Sequence, residues 1–132
     1  MSIETLAAYY DAFNAHDSSA MLALLTDDVT HEPCQGEPRH GKAAFTEFLA
    51  HMDECYREQV IDPQLFVSPD GTRGAAEFML TGNYLKTDSD LPPAKGQTYR
   101  LRVGTFFEFT DGKIARVTNH YNLQDWIDQV SV

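Results

Sequence analysis

Hydrophobic residues near the start of the chain recur at intervals of three and four positions. The residues with this spacing are Ile3, Leu6, Ala7, Tyr10 and Phe13. The spacing predicts an amphipathic helix over residues 3–15, followed by a second short helix, ending at Asp27–Asp28, that Asp17 or Ser18 can cap. A short strand is expected at residues 29–32 and a loop rich in Pro and Gly at residues 33–41. Helical periodicity then returns from Lys42, where a third helix is predicted.

In the second half of the chain the hydrophobic period changes to two, which is typical of strands. Strands are predicted over residues 60–67, 73–85, 97–109 and 113–122, with a final helical turn at 123–130. Turn sequences separate two pairs of these strands, at Ser68–Gly71 and at Asp111–Gly112. The order of elements predicts an α+β domain in which three helices pack on one face of a curved, mostly antiparallel sheet.

Composition narrows the range of functions. The 132 residues suit one domain, expected over residues 1–132, and 42% hydrophobic with 23% charged residues excludes intrinsic disorder. The net charge of −10 disfavours nucleic acid as a partner. The chain lacks an apolar run of about 18 residues, so we expect no membrane span. The sequence Met1–Glu4 does not resemble a signal peptide, and a cytoplasmic protein is expected.

The histidines and cysteines predict neither a disulfide nor a metal site. Two cysteines, Cys34 and Cys55, are too few for a disulfide framework, and both are expected to be reduced thiols. His51 precedes Cys55 by four positions, and His31 and His40 flank Cys34. Neither spacing fits a standard zinc pattern, so we predict no metal and no cofactor.

A family resemblance spans nearly the whole chain and is carried by several local sequences. These are Tyr9–Asp17, Leu25–Val29, His31–Pro33 followed by Gly41, Phe107–Ile114, and Tyr121–Asn122. In them the chain resembles the nuclear-transport-factor-2-like cone fold and, within it, the branch of ketosteroid isomerases and SnoaL-like polyketide cyclases. The resemblance implies a cone-shaped domain whose cavity takes a small hydrophobic ligand.

The same resemblance implies two catalytic residues. Tyr9 stands eight positions before Asp17, where the isomerases carry a tyrosine that stabilises an oxyanion. Glu32 stands immediately before Pro33, where they carry the aspartate that acts as general base. Strand alternation leaves open whether Glu32 or its neighbour His31 faces the cavity.

Further residues are expected to contact the substrate, and one acid of the isomerases has no counterpart in this chain. The candidate substrate-binding residues are His31, Phe13, Phe48, Thr105, Phe107, Asn119 and Tyr121. Thr105 occupies the place where the isomerases carry a second oxyanion donor, an acid that is kept protonated. Its replacement by a neutral hydroxyl argues against classical steroid isomerisation.

Two functional hypotheses follow. The first is a cofactor-independent isomerase or cyclase that acts by proton transfer on a small hydrophobic carbonyl compound, steroid- or polyketide-like. The alternative is a non-catalytic domain that binds a hydrophobic small molecule. Because strands 73–85 and 97–109 carry apolar residues on both faces and helices cover only one, we also predict a homodimer formed through the sheet.

Overall fold

The structure is a computed structural model that describes residues 2–132, which form four helices and six strands. In chain order these are α1 (Ser2–Asn14), α2 (Ser18–Ala23), β1 (Leu25–Glu32), β2 (Arg39–His40), α3 (Lys42–Cys55), β3 (Tyr56–Val67), β4 (Arg73–Tyr84), β5 (Thr98–Thr110), β6 (Lys113–His120) and α4 (Leu123–Val130). The predicted α+β class is confirmed. None of the helices in residues 2–132 is long and apolar enough to cross a membrane.

All six strands belong to one curved sheet, in the order β2-β1-β6-β5-β4-β3. β1 and β6 are parallel, and every other neighbouring pair is antiparallel. The parallel pair places the first and the last strand of the chain side by side.

Burial along β5 shows how the sheet divides into an inner and an outer face. The residues that alternate into the core are Tyr99, Leu101, Val103, Thr105, Phe107 and Phe109. They form one core with buried residues of α1, among them Leu6, Tyr9 and Tyr10. The outer face of the same strand leaves Phe106 49% exposed. The helices therefore cover the inner face, as the period of two predicts.

The boundaries around β1 and β2 differ from those predicted. Leu25 was expected on the second helix, but it opens β1 because its backbone pairs with Ile114 of β6. Asp17 caps α2 as expected, its carboxylate accepting a hydrogen bond from the Ala20 amide at 3.0 Å. Within the predicted loop at 33–41, Arg39–His40 forms β2 and pairs with β1.

The end of the chain forms a fourth helix where a single turn was expected. The Asn122 side chain caps α4 by accepting a hydrogen bond from the Asp125 amide at 3.1 Å. Trp126 is buried, and its ring centroid lies 4.9 Å from that of Tyr84 and 5.9 Å from that of Tyr99. This aromatic contact holds α4 against the strands at one end of the sheet.

Candidate functional site

A cavity of about 380 Å³ lies between the helices and the inner face of the sheet. Aromatic residues that line it are Tyr9, Tyr10, Phe13, Phe45, Phe48, Tyr56, Phe78, Tyr121 and Trp126. The polar side chains of the lining include His31, Glu58 and Asn119, and also His51 and Asp88. A mostly apolar chamber with a few fixed polar groups is the usual construction of a small-molecule site.

His31 is the residue of the His31–Glu32 pair that faces the cavity. It is only 2% exposed, and its ring lies 4.8 Å from Phe45 and 4.4 Å from Phe48, measured between centroids. Burial lowers the pKa of His31 to about 4, and the positive charge of Arg39 adds to the effect. The imidazole is therefore neutral at neutral pH.

The hydrogen bond between His31 and Asn119 fixes the imidazole tautomer. The Asn119 amide nitrogen Nδ2 can only donate, and it lies 3.3 Å from His31 Nε2. Nε2 is therefore the acceptor, and the imidazole proton resides on Nδ1. That nitrogen is buried and has no hydrogen-bond partner within residues 2–132. An unpaired buried donor is costly unless a ligand group satisfies it.

Glu32 lies on the outer face of β1, which corrects its predicted position as a base in the cavity. Its carboxylate oxygen Oε1 accepts a hydrogen bond from the Thr118 hydroxyl at 2.6 Å and pairs with Arg116 Nη1 at 3.4 Å. Arg116 in turn pairs with Glu108 on β5. Because successive side chains of a strand point to opposite faces, burying His31 directs Glu32 outwards.

Several residues predicted to contact a ligand do line the cavity. They are Tyr9, Phe13, Phe48, Asn119 and Tyr121. Burial raises the pKa of Tyr9, so its phenol keeps its proton. No hydrogen bond to Tyr9 Oη is found within residues 2–132, which leaves that hydroxyl able to donate to a ligand.

Thr105 and Phe107, also predicted to contact a ligand, lie in the core beside the cavity and are absent from its lining. The Thr105 hydroxyl is 2.7 Å from the hydroxyl of Tyr10, and both side chains are buried. Phe107 packs edge-on against Tyr9, with 5.8 Å between ring centroids. Both residues therefore support the tyrosines of α1, and their predicted direct contact with substrate is corrected.

Glu58 on β3 is a cavity residue that the sequence analysis missed. The Tyr99 hydroxyl donates a hydrogen bond to Glu58 Oε2 at 2.5 Å. Burial raises the pKa of Glu58 to about 7, and the bond from Tyr99 opposes that rise only in part. A carboxyl with this pKa is half ionised at neutral pH, so it can both accept and release a proton.

Gly82 explains how Tyr99 reaches Glu58 across an intervening strand. Glu58 of β3 pairs with Gly82 of β4, and Gly82 pairs with Tyr99 of β5, so the three residues form one row across the sheet. A Cβ atom built at Gly82 would lie 2.4 Å from the Tyr99 ring and hydroxyl. The missing side chain thus provides the space in which the ring lies over β4.

Tyr121 follows β6 and completes the polar set near Glu58. Burial raises the pKa of Tyr121 to about 12, and the negative charge of Glu58 is the next largest cause. The phenol therefore stays protonated beside the carboxyl.

One sequence signal could have identified Glu58. It lies two positions before buried Val60, so both side chains point to the inner face of β3, which begins four residues before the predicted strand.

The helices packed on an open sheet around a cavity define the nuclear-transport-factor-2-like class of fold. The profile of the SnoaL-like domain family matches residues 6–117. The chain therefore belongs to the SnoaL-like domain family, as the resemblance predicted.

Solved structures give the same assignment. A proposed polyketide cyclase from Pseudomonas putida is 52% identical, with a TM-score of 0.97 and 98% of each chain covered. A proposed polyketide cyclase from a Silicibacter species is 51% identical, with a TM-score of 0.96 over 98% of this chain and 94% of that one. An NTF2-like protein of unknown function from Burkholderia pseudomallei shares the fold at 18% identity, with a TM-score of 0.82 over 99% and 98% of the chains. Comparison with curated protein sequences gives no match.

Proposed function

We propose that this protein is a cofactor-independent isomerase or cyclase that transfers protons on a small hydrophobic carbonyl compound, steroid- or polyketide-like. The observation that carries the proposal is Glu58, a carboxyl with a pKa of about 7 in the wall of an apolar cavity. Proton abstraction next to a carbonyl needs a base whose pKa is near the working pH. The 52% identity to a proposed polyketide cyclase supports the same class of reaction.

In the proposed mechanism, ionised Glu58 takes the proton from the carbon next to the substrate carbonyl. The electron pair of that C–H bond moves towards the carbonyl oxygen and forms an enolate. For isomerisation, the carboxyl then returns the proton to another carbon of the conjugated enolate. For cyclisation, the enolate carbon instead attacks a second carbonyl carbon of the same molecule, the π pair of that C=O bond moves onto its oxygen, and this oxygen takes the proton back from Glu58. Tyr99 holds the Glu58 carboxyl in place through its hydrogen bond.

The developing enolate oxygen needs hydrogen-bond donors, and two candidates have no hydrogen-bond partner among the described residues 2–132. These are the Tyr9 hydroxyl and the Nδ1–H group of neutral His31. Donors held in a cavity from which water is excluded typically contribute about 10²- to 10³-fold to the rate. Tyr9 keeps the oxyanion role that the sequence suggested, whereas the base moves from Glu32 to Glu58.

Solvent deuterium exchange tests the base. Ligands are first found by a thermal-shift screen of steroids, polyketide fragments and cyclic ketones, because a ligand bound only by the folded state raises the unfolding temperature. Deuterium uptake at the α-carbon of a bound ketone is then followed by mass spectrometry. Glu58→Gln should slow this exchange by about 10²-fold or more, because it removes the base but keeps the shape.

Glu32→Gln is the matched control, because Glu32 lies outside the cavity. It should leave the exchange rate of every bound ketone unchanged. Tyr9→Phe should slow exchange by about 10²-fold or less and leave binding nearly intact. If wild type exchanges no faster than Glu58→Gln for any bound ketone, the enzymatic proposal fails.

A non-catalytic binding domain is the second candidate, and one observation favours it. At the position of the isomerases' second acid, Thr105 is bonded to Tyr10 and does not line the cavity. This alternative gives ligand binding without exchange in wild type. The same experiment therefore separates the two candidates.

We also propose that the protein is a homodimer through the outer face of the sheet. Phe66 on β3 and Phe106 on β5 flank Ala75 of β4 in one cross-strand row, and they are 57% and 49% exposed. Burying this apolar row against a second copy would remove it from water. Light scattering should give the dimer mass, and Phe106→Glu should give the monomer; a monomer mass for wild type at micromolar concentration would refute the dimer.

A further inference from the structure

Three potential metal ligands meet where α3 ends, beside the mouth of the cavity. His51 and Cys55 are four residues apart on α3, and Asp88 comes from the loop between β4 and β5. His51 Nε2 lies 2.8 Å from Asp88 Oδ1 and 3.9 Å from Cys55 Sγ, and all three donor atoms lie within 4.8 Å of one another. The side chains of His51 and Asp88 also line the cavity.

The surrounding hydrogen bonds hold Asp88 in position. The Tyr56 hydroxyl donates to Asp88 Oδ2 at 2.6 Å, whereas Oδ1 lies 2.8 Å from His51 Nε2 and accepts a longer hydrogen bond from the Ser89 hydroxyl at 3.3 Å. The Asp88 amide donates to the hydroxyl of Tyr84 at 2.9 Å, and that hydroxyl donates to the Pro92 carbonyl. A carboxylate whose second oxygen is bound by a neighbouring donor is the outer-shell arrangement that supports metal ligands.

The loop that carries Asp88 is also tied to the helix that carries the other two donors. The Cys55 carbonyl accepts hydrogen bonds from the amides of Leu85 at 2.7 Å and Lys86 at 3.3 Å. Lys86 pairs with Glu54 at 3.0 Å, so its positive charge is matched beside the site. The three donors are therefore brought together by the backbone before any ion binds.

We propose that His51, Cys55 and Asp88 bind one zinc ion through Nε2, Sγ and Oδ1, with a fourth coordination position left for water or a ligand. Zinc binds imidazole nitrogen at about 2.0 Å and thiolate sulfur at about 2.3 Å in a tetrahedron, which requires donor atoms about 3.3–3.7 Å apart. Small side-chain movements within the observed cluster give this spacing. Thiolate and imidazole donors favour zinc over magnesium or calcium, which take oxygen ligands.

Binding of the ion has a defined proton balance. The Cys55 thiol loses its proton to solvent and binds as thiolate, and Asp88 binds as carboxylate. In the ion-free cluster His51 Nε2–H donates to the Asp88 carboxylate, so this proton must pass to solvent, and Nδ1 must carry the one remaining ring proton, before Nε2 can bind the ion. The dication thus meets two negative ligands and one neutral ligand. Its open position would face the same cavity as Glu58, although the zinc site does not depend on the proposed proton transfer.

Cobalt(II) substitution tests the site directly, because a cobalt–thiolate bond gives a near-ultraviolet charge-transfer band and tetrahedral cobalt gives intense visible bands. Wild type should show both at one equivalent of metal, and zinc should displace the cobalt. Cys55→Ser should remove the charge-transfer band. His51→Gln and Asp88→Asn, which leave buried Cys55 in place, should each weaken cobalt affinity by more than 10-fold.

Cys34→Ser is the matched control, because Cys34 Sγ and His120 Nδ1 form another thiol–imidazole pair, 3.4 Å apart and exposed. This variant should keep the spectrum of wild type. Tyr56→Phe should weaken affinity by about 10- to 100-fold, the usual cost of losing an outer-shell partner. Absence of the band in wild type, its loss in Cys34→Ser, or unchanged affinity in both His51→Gln and Asp88→Asn would overturn the proposal.

Discussion

Glu32 and Glu58 are the same residue type on opposite faces of one sheet, and their neighbours give them different capabilities. Glu32, on the outer face of β1, is held by the cation of Arg116 and the hydroxyl of Thr118. Glu58, on the inner face of β3, meets the neutral hydroxyl of Tyr99 inside a mostly apolar cavity. Burial beside this neutral donor gives the Glu58 carboxyl a pKa of about 7.

The comparison indicates that the surroundings of a carboxylate, more than its place beside a motif residue, determine whether it can act as a general base. Glu32 precedes Pro33, as the family pattern requires of the base, yet the strand directs it outwards. Glu58 has no motif beside it, but the row formed with Gly82 and Tyr99 sets its environment. Four substitutions can break or sharpen the comparison.

The largest effect is expected from Glu58→Gln on the pH dependence of stability. The pKa of folded Glu58, about 7, lies above its ordinary value of 4.5, so between these values the folded state binds more protons than the unfolded chain. The free energy of unfolding contributed by this group therefore falls as pH rises through the window. As pH rises through this window, the free energy of unfolding of Glu58→Gln should therefore increase relative to that of wild type, by up to about 3 kcal/mol.

Urea unfolding at several pH values measures this gain. The carboxyl faces the phenols of Tyr99 and Tyr121, both protonated throughout the window, so neither contributes a competing titration. Glu32→Gln is the comparison variant, and it should not show the same gain. A constant difference between Glu58→Gln and wild type would mean that Glu58 does not titrate in this range.

His31, which also lines the cavity, should give the pH dependence of stability the opposite sign. Its folded pKa of about 4 lies below its ordinary value of 6.5, so the unfolded chain binds more protons between these values. Stability contributed by neutral His31 is present above that window and is lost as pH falls through it, where protonation is opposed by burial and by Arg39. His31→Gln should flatten the acid side of the stability profile by up to about 3 kcal/mol, measured by the same urea titrations.

Gly82→Ala should disturb the Glu58 site and destabilise the fold by about 1–3 kcal/mol, the usual cost of overpacking. The added methyl group would overlap the Tyr99 ring, which must then move away from Glu58. Gly104→Ala on β5 is the matched control, because a Cβ atom there meets no other atom within 4 Å. Equal losses in denaturant unfolding for the two variants would show that the contact with Tyr99 is unimportant.

The smallest effect is expected from Glu32→Gln on stability at neutral pH. A half-exposed pair with Arg116 contributes about 0–1 kcal/mol, and added salt should reduce even that. Urea unfolding at low and high salt measures the change. A loss well above 1 kcal/mol that persists in salt would give the outer face of β1 a larger role than its exposure suggests.

Much of the fold followed from periodicity, because β5 alternates without interruption and the resemblance covered most of the chain. β1 gave a weaker signal, since Asp27, Asp28 and Thr30 place polar residues at both parities of the strand. Only the pairing with β6, which buries Val29 and His31, decides its inner face. The fourth helix was expected only as a turn, although its apolar residues Leu123, Trp126, Ile127 and Val130 have the i, i+3, i+4, i+7 spacing of an amphipathic helix.

The candidate site was harder to predict, because its polar groups come from segments far apart in sequence. Glu58 lies in a polar stretch between a helix and the predicted strand, and its partner Tyr99 is 41 residues away. The third zinc donor, Asp88, lies 37 residues beyond His51 in a loop without periodicity. The spacing of His51 and Cys55 fits no standard zinc pattern by itself, and the sequence does not show that the loop carrying Asp88 meets them.

The parallel pairing of β1 with β6 has a consequence for how the protein is made. His31 and Asn119, hydrogen-bonded across the cavity wall, are separated by 88 positions. A chain that leaves the ribosome from its N-terminus therefore cannot complete this wall until nearly all of it has been synthesised. Until then the apolar residues of β1 lack their neighbouring strand, and the nascent protein offers them to chaperones or to other chains.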